Sequence, residues 1–167
     1  MILANELIGT ILVKETRENA ILRRHRYPGP KKIARFEAFM KKVGLSIKFS
    51  SETRIQDLIN DILARKDIEQ SVKDLVKYEM IYLLEAADYF LVGKTGPKTW
   101  VHYALNAPVY THFTSPIRRY PDILVHRQLA AILDKNIEKT KIPTSLIENC
   151  NERKLMAKRV SSGCEKV

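Results

Sequence analysis

Apolar residues in this chain recur mostly at helical spacing, with a short strand-like interval past the middle. Ile2, Leu3, Leu7, Ile8, Ile11 and Leu12 predict an amphipathic helix over residues 1–16, which begins without a capping residue, as though cut from a longer helix. Ile33, Phe36, Phe39, Met40 and Val43 predict a second helix over 31–43, stopped by Gly44, with Lys31, Lys32, Arg35, Lys41 and Lys42 mostly on the other face. Leu45 to Phe49 alternates briefly and reads as a short strand or an extended linker. Ser50 or Ser51 caps a helix that runs through about Ala64, with Glu52 in its first turn and Arg65-Lys66 near its end. A further helix spans about Ile68 to Leu84, and its mixed charges read as scaffold. Tyr89-Phe90-Leu91-Val92 is aromatic and β-branched enough for a strand, followed by a turn at Gly93 to Pro97. Trp100 to Leu105 alternates and is the expected partner strand. Helices over about 122–134 and from about Pro143 onward complete the pattern, with Ser161-Ser162-Gly163 lowering helical propensity in the last. The expected class is α+β, mostly helical and packed on a small sheet.

Two stretches break this periodicity. Residues 21–32 form a basic run closed by Pro28-Gly29-Pro30 and are expected as a loop, either merely solvated or lying along an RNA backbone with Tyr27 or His25 stacking a base. The second break, from Tyr110 to Arg127, joins a hydroxyl-rich loop to Ser115-Pro116, where Ser suits a helix cap and Pro its first position. Arg118 and Arg119 then fall in the first turn, where each cation costs about 0.3–1 kcal/mol against the helix dipole. An anion such as a phosphate on the same N–H groups removes that cost, so the stretch reads as a phosphate clamp. Pro121 restricts the geometry: either a short turn from Pro116 kinks there, or the main helix begins there. Asp122 is placed to brace an arginine or simply to start a helix.

Charge sharpens this picture. The chain carries 29 Lys and Arg against 19 Asp and Glu, a net charge of +10, of which residues 1–50 hold +7 and residues 51–100 hold −2. Such segregation favours a polyanionic partner, nucleic acid before membrane. Cys150 and Cys164 are too few and too far apart for a zinc site and suit reduced thiols. No signal peptide or membrane span is apparent, since Asn5 and Glu6 interrupt the apolar start.

Other constellations are weaker. Gly93-Lys94-Thr95 ends like a P-loop but lacks the upstream glycine, Asp88 standing in its place. Ser115, His112 and Asp122 have no spacing that would force a hydrolytic triad, and His102, His112 and His126 show no short metal-ligand pattern. Acidic residues are dispersed, whereas metal-dependent phosphodiester hydrolysis needs clustered carboxylates. The chain thus offers the phosphate-binding side of such a site without the metal-binding side.

The run His102-Tyr103-Ala104-Leu105, the block Tyr110 to Tyr120, and then Asp122 and His126-Arg127 resemble the signature of the RNB catalytic domain, which defines the RNase II family of processive 3′→5′ exoribonucleases. Met1 to Asn5 and Leu22 to His25 resemble upstream blocks of its eukaryotic branch, which includes the exosome nuclease and its exosome-independent relative. The resemblance implies that residues 1–167 are the C-terminal half of an RNB domain, with the upstream catalytic half and flanking RNA-binding domains outside the chain. It implies an intracellular, non-membrane enzyme that hydrolyses single-stranded RNA to nucleoside 5′-monophosphates. The expected cofactor is Mg2+, with aspartate ligands upstream, so this chain alone is expected to be inactive. By motif position, Arg118 is the active-site arginine near the scissile phosphate, and Arg119, Ser115 and Thr114 support the same phosphates. His112 and Tyr110 line the RNA channel, Arg23, Arg24 and His25 are further channel candidates, and Lys154 to Arg159 meets the backbone. The implied partners are single-stranded RNA and, for one branch, the exosome. The competing readings are a non-catalytic RNA-binding module or degenerate RNB paralogue, and a plain interaction domain that would leave the paired arginines unexplained.

Overall fold

The computed structural model describes residues 1–47, 49, 55–136, 138 and 141–164. Helices α1 (Ile2–Thr16), α2 (Pro30–Lys42), α3 (Ile55–Ala64), α4 (Gln70–Leu83), α5 (Tyr120–Leu133) and α6 (Thr144–Cys164) accompany a two-stranded antiparallel sheet of β1 (Ile21–Arg24) and β2 (Asp88–Leu91). The architecture is the expected α+β. The chain forms two compact units, one of residues 1–24, 87–102 and 107–167, the other of 25–86 and 103–106.

In the first unit the sheet pairs Ile21 with Leu91, Leu22 with Phe90, Arg23 with Tyr89 and Arg24 with Asp88. Leu12, Ile21, Leu22, Phe90, Leu91, Leu124, Val125 and Ile147 form its core. Two expectations are corrected here. Residues 21–24 are a strand, not a loop, because Arg24 can enter the interior: its Nε and Nη2 donate to the Asp88 carboxylate (2.9–3.2 Å) while its guanidinium lies over Phe90. Trp100 to Leu105 is not the partner strand: His102 makes an isolated bridge to Ala107, and Tyr103–Leu105 is a 3-10 turn. The alternation there reflects Trp100 packing against the core and His102 being buried.

Helix α1 forms where expected but is not amphipathic in the predicted sense. Its buried positions are Asn5, Gly9, Leu12 and Thr16, a stripe at helical spacing, whereas Ile2, Leu3, Leu7 and Ile11 are exposed. Gly9 permits this close approach, since a Cβ there would lie 3.1 Å from Val109 and 3.5 Å from the Thr111 nitrogen.

The second unit is helical around Phe36, Met40, Leu45, Ile62, Val76, Met80 and Leu83. Helix α2 takes Pro30 into its first turn and ends as predicted at Gly44 (φ +79°). Leu45 N–H returns to Met40 O (2.9 Å) and Gly44 N–H to Lys41 O (3.2 Å), the two bonds of a Schellman cap. No strand occurs among the described residues of 45–49, and the proposed caps Ser50 and Ser51 lie outside the described residues, as does Glu52. Among the described residues, no helix is long and apolar enough to cross a membrane.

Candidate functional site

The loop from Tyr110 to Arg119 lies along the free edge of β1. Arg23 N–H donates to Tyr110 O (2.7 Å), and the Thr111 hydroxyl donates to Ile21 O (2.7 Å). Gln128 on α5 completes that edge, accepting Ile21 N–H (3.3 Å) and donating to Asn19 O (2.6 Å). From α1, Asn5 spans the loop: its amide donates to the Tyr110 hydroxyl (2.9 Å) and its oxygen accepts Phe113 N–H (3.0 Å). His126 Nε2 bonds Phe113 O (2.8 Å) with its ring stacked on Phe113. The free edge of β1 is thus satisfied by the loop backbone at Arg23 and by side chains at Ile21, with no third strand among the described residues.

The predicted helix start is corrected next. Ser115 caps no helix; its carbonyl accepts N–H from Arg118 (3.3 Å) and Arg119 (3.2 Å), closing a single turn. Helix α5 begins one step later, with Arg119 in extended backbone at its N-cap and Pro121 in its first turn. Of the two options that Pro121 left, the main helix beginning there is the one realised, with a separate turn from Ser115 ahead of it. Asp122 is fully buried and accepts both Ser115 N–H and Arg119 Nη2, each at 2.8 Å.

Beside this turn opens a groove of about 580 Å³. One wall carries Arg23, Tyr89, His112, Arg118, Arg119 and Tyr120; the other is α6, through Leu146, Cys150, Arg153, Lys154 and Ala157. Asn151 fastens α6 to the sheet, accepting Tyr89 N–H and donating to Tyr89 O, both at 2.8 Å, and Lys154 Nζ donates to Ala87 O. No described lining residue is acidic, and Arg118 and Arg153 have no carboxylate partner among the described residues. Burial, with Arg23 and Arg119 nearby, pushes His112 down to about 3, so the ring is neutral at pH 7. It shares a hydrogen bond with the Tyr89 hydroxyl (2.7 Å), whose own pKa burial raises. Burial and Arg23 also lower the Lys154 amine. The arrangement presents several guanidinium groups, of which Arg119 is held by Asp122, beside a neutral imidazole, which suits an anionic chain bearing flat groups.

Of the predicted residues, Arg23, His112, Arg118 and Arg119 line this groove, as does Lys154. Thr114 and Ser115 do not, and Ser115 acts through its backbone. Tyr110 (6% exposed) is a core residue whose ring edges onto His112, and Arg24 is held by Asp88. His25 (5% exposed) belongs to the second unit, where its Nδ1 accepts Ala104 N–H (3.3 Å) and its Nε2 donates to Glu85 O (2.5 Å). The triad Ser115–His112–Asp122 does not form, since His112 bonds Tyr89 and Asp122 takes a backbone N–H. Sequence reasoning missed Tyr89 and Arg153. The spacing Leu146, Cys150, Arg153, Ala157 was the available signal for the α6 wall. Among the described residues no group of three or more His, Cys, Asp or Glu could hold a metal ion, so the described residues offer no ligand set for the expected Mg2+. Cys150 and Cys164 are free thiols.

Residues 1–135 match the sequence model of the RNB domain. The chain belongs to the RNB domain family. The turn, the sheet and α5 lie within the matched RNB segment, and α6 follows it. The chain is 36% identical over 165 residues to the DIS3-like exonuclease 2 of Xenopus tropicalis, covering 96% of this chain and 20% of that protein. The structure of yeast Ssd1, a pseudonuclease, matches with a TM-score of 0.72 and 33% identity over 89% of this chain and 18% of that one. Mycoplasma genitalium RNase R, solved with ribose-methylated single-stranded RNA, shares the fold at a TM-score of 0.73 and 21% identity, over 93% of this chain and 24% of that one. The RNB chain thus spans about a fifth of the length of the curated relative it matches.

Proposed function

We propose that this RNB chain supplies the phosphate-holding side of a 3′→5′ exoribonuclease that degrades single-stranded RNA to nucleoside 5′-monophosphates. The observation that supports this reading is the convergence of Arg23, Arg118, Arg119, Arg153 and Lys154, from separate elements, on one groove with no acid among its described lining. Arg118 is exposed at the crest of the turn and takes a phosphate near the scissile bond through paired N–H donors. Arg119, oriented by Asp122, takes the same or the adjacent phosphate, and the two offset charge that develops in the transition state. Neutral His112, half-buried on the groove wall, offers its ring to a base or ribose. Mg2+ is the cofactor of this reading, held by residues other than those described here. The protein works inside the cell, and an exosome is a protein partner to be sought by co-purification.

A non-catalytic RNA-holding role is the second reading, favoured by the 33% identity to a pseudonuclease. The experiment that separates them incubates the full-length protein with a 3′-labelled single strand and Mg2+ and follows nucleotide release. Release supports the exonuclease. Binding without release supports the second reading. Absence of any salt-dependent RNA binding overturns both, because phosphate contacts weaken with salt by a slope of about −0.7 per contact on single strands.

A further inference from the structure

We infer that Asp122 is the positioning residue of the groove, a buried carboxylate that sets how Arg118 and Arg119 face a phosphate without touching it; this rests on reading the groove as a phosphate site. Asp122 is 0% exposed, and a single oxygen, Oδ1, accepts both Ser115 N–H and Arg119 Nη2 at 2.8 Å. Asp122 N–H in turn donates to Arg119 O (3.1 Å), and Ser115 O accepts the N–H groups of Arg118 and Arg119. Both ends of the turn are therefore tied to one side chain, and Arg118 stands at the exposed crest between them. The ion pair is made end-on. Asp122 Oδ2 and Arg119 Nε are both buried without a protein partner, so the carboxylate holds the inner side of the guanidinium through Nη2 alone while Arg119 as a whole still lines the groove.

Charge gives the test its sign. Neutralising an acid beside a cationic groove strengthens attraction to RNA if the acid acts only through its charge. Loss of positioning acts in the opposite direction. Asp122→Asn keeps the size and an oxygen for Ser115 N–H, and it is expected to bind single-stranded oligouridylate about tenfold more weakly than wild type, the equivalent of one charged hydrogen bond. Equal or tighter binding overturns the inference. A second arm needs no RNA: amide hydrogen exchange at Arg118 and Arg119 in the free chain should quicken about tenfold in Asp122→Asn with the melting temperature retained. Unchanged exchange also overturns it. If wild type itself fails to bind RNA, the phosphate reading fails, while the exchange arm still decides whether Asp122 holds the turn. Should Asp122→Asn not fold, Asp122→Glu, which keeps the charge and displaces the carboxylate, is carried through both measurements with the same expectations.

Discussion

Both units of the chain carry many cations, but they dispose of them differently. In the second unit Lys32 pairs with Glu85 (3.0 Å), Arg35 with Glu79 (3.5 Å), Arg65 with Asp67 (2.5 Å) and Lys77 with Asp74 (2.9 Å). These pairs are largely solvent-exposed and contribute little to stability, about 0–1 kcal/mol each. In the first unit Arg23, Arg118 and Arg153 converge where no described lining residue is acidic. The excess of +7 in residues 1–50 is thus partly cancelled by acids of residues 51–100, and the count along the chain overstates the basic surface of α2. What marks an anion site is the absence of partners where cations meet, more than their number.

The contrast can be broken most sharply at Arg118. In the full-length protein Arg118→Ala should cut RNA turnover roughly 10²-fold, as loss of other transition-state charge donors does, while Arg35→Ala leaves it unchanged. Near-normal turnover of the Arg118 variant would erase the distinction between the units. Next comes stability: Asp122→Ala strips two hydrogen bonds from a buried carboxylate and should lower unfolding free energy by about 1.5–3 kcal/mol in urea titrations, against about 0–1 kcal/mol for Lys32→Ala. Third, Arg153→Ala should reduce the salt slope of RNA binding by about 0.7, and Arg35→Ala should not. Acid titration sharpens the contrast further. His112, held near 3 in the fold against an ordinary 6.5, stays neutral while the unfolded chain takes up a proton. That contribution to stability is complete above pH 6.5 and is lost progressively as pH falls toward 3, so His112→Gln should flatten the urea midpoint over that window. The smallest effect is expected of Tyr89→Phe, about 0.5–1.5 kcal/mol in urea for the His112 bond, with the salt slope intact.

Helices α2, α3 and α4 were legible because apolar positions at helical spacing face the core of the second unit, and Gly44 and Pro30 mark the bounds of α2 by backbone geometry alone. β1 was not, because Arg24 in a four-residue strand looks like a loop residue until Asp88 and Phe90, distant in sequence, accept it. The signature turn was located correctly, and its cap misjudged, since Ser115 before Pro116 suits a helix start that Pro121 displaces. Tyr110 was chosen by motif position and His25 as a further channel candidate in a basic run, yet each is spent inside on hydrogen bonds that only the tertiary fold supplies. The α6 wall falls on a mostly exposed helix, where a polar stripe carries little periodic signal.

Arg23 and Arg24 are chain neighbours on a strand of alternating faces, one meeting the groove and the other the Asp88 pair. Four rungs of pairing keep them apart. Because a slip of one rung inverts every side chain of a strand, inserting or deleting a residue beside β1 would exchange their fates. The groove would then receive an arginine displaced by one rung, and the arginine turned inward would stand out of register with Asp88. Strand registration here works as a sorting step for identical side chains, so an indel far from the signature loop can silence the site while leaving every groove residue in the sequence.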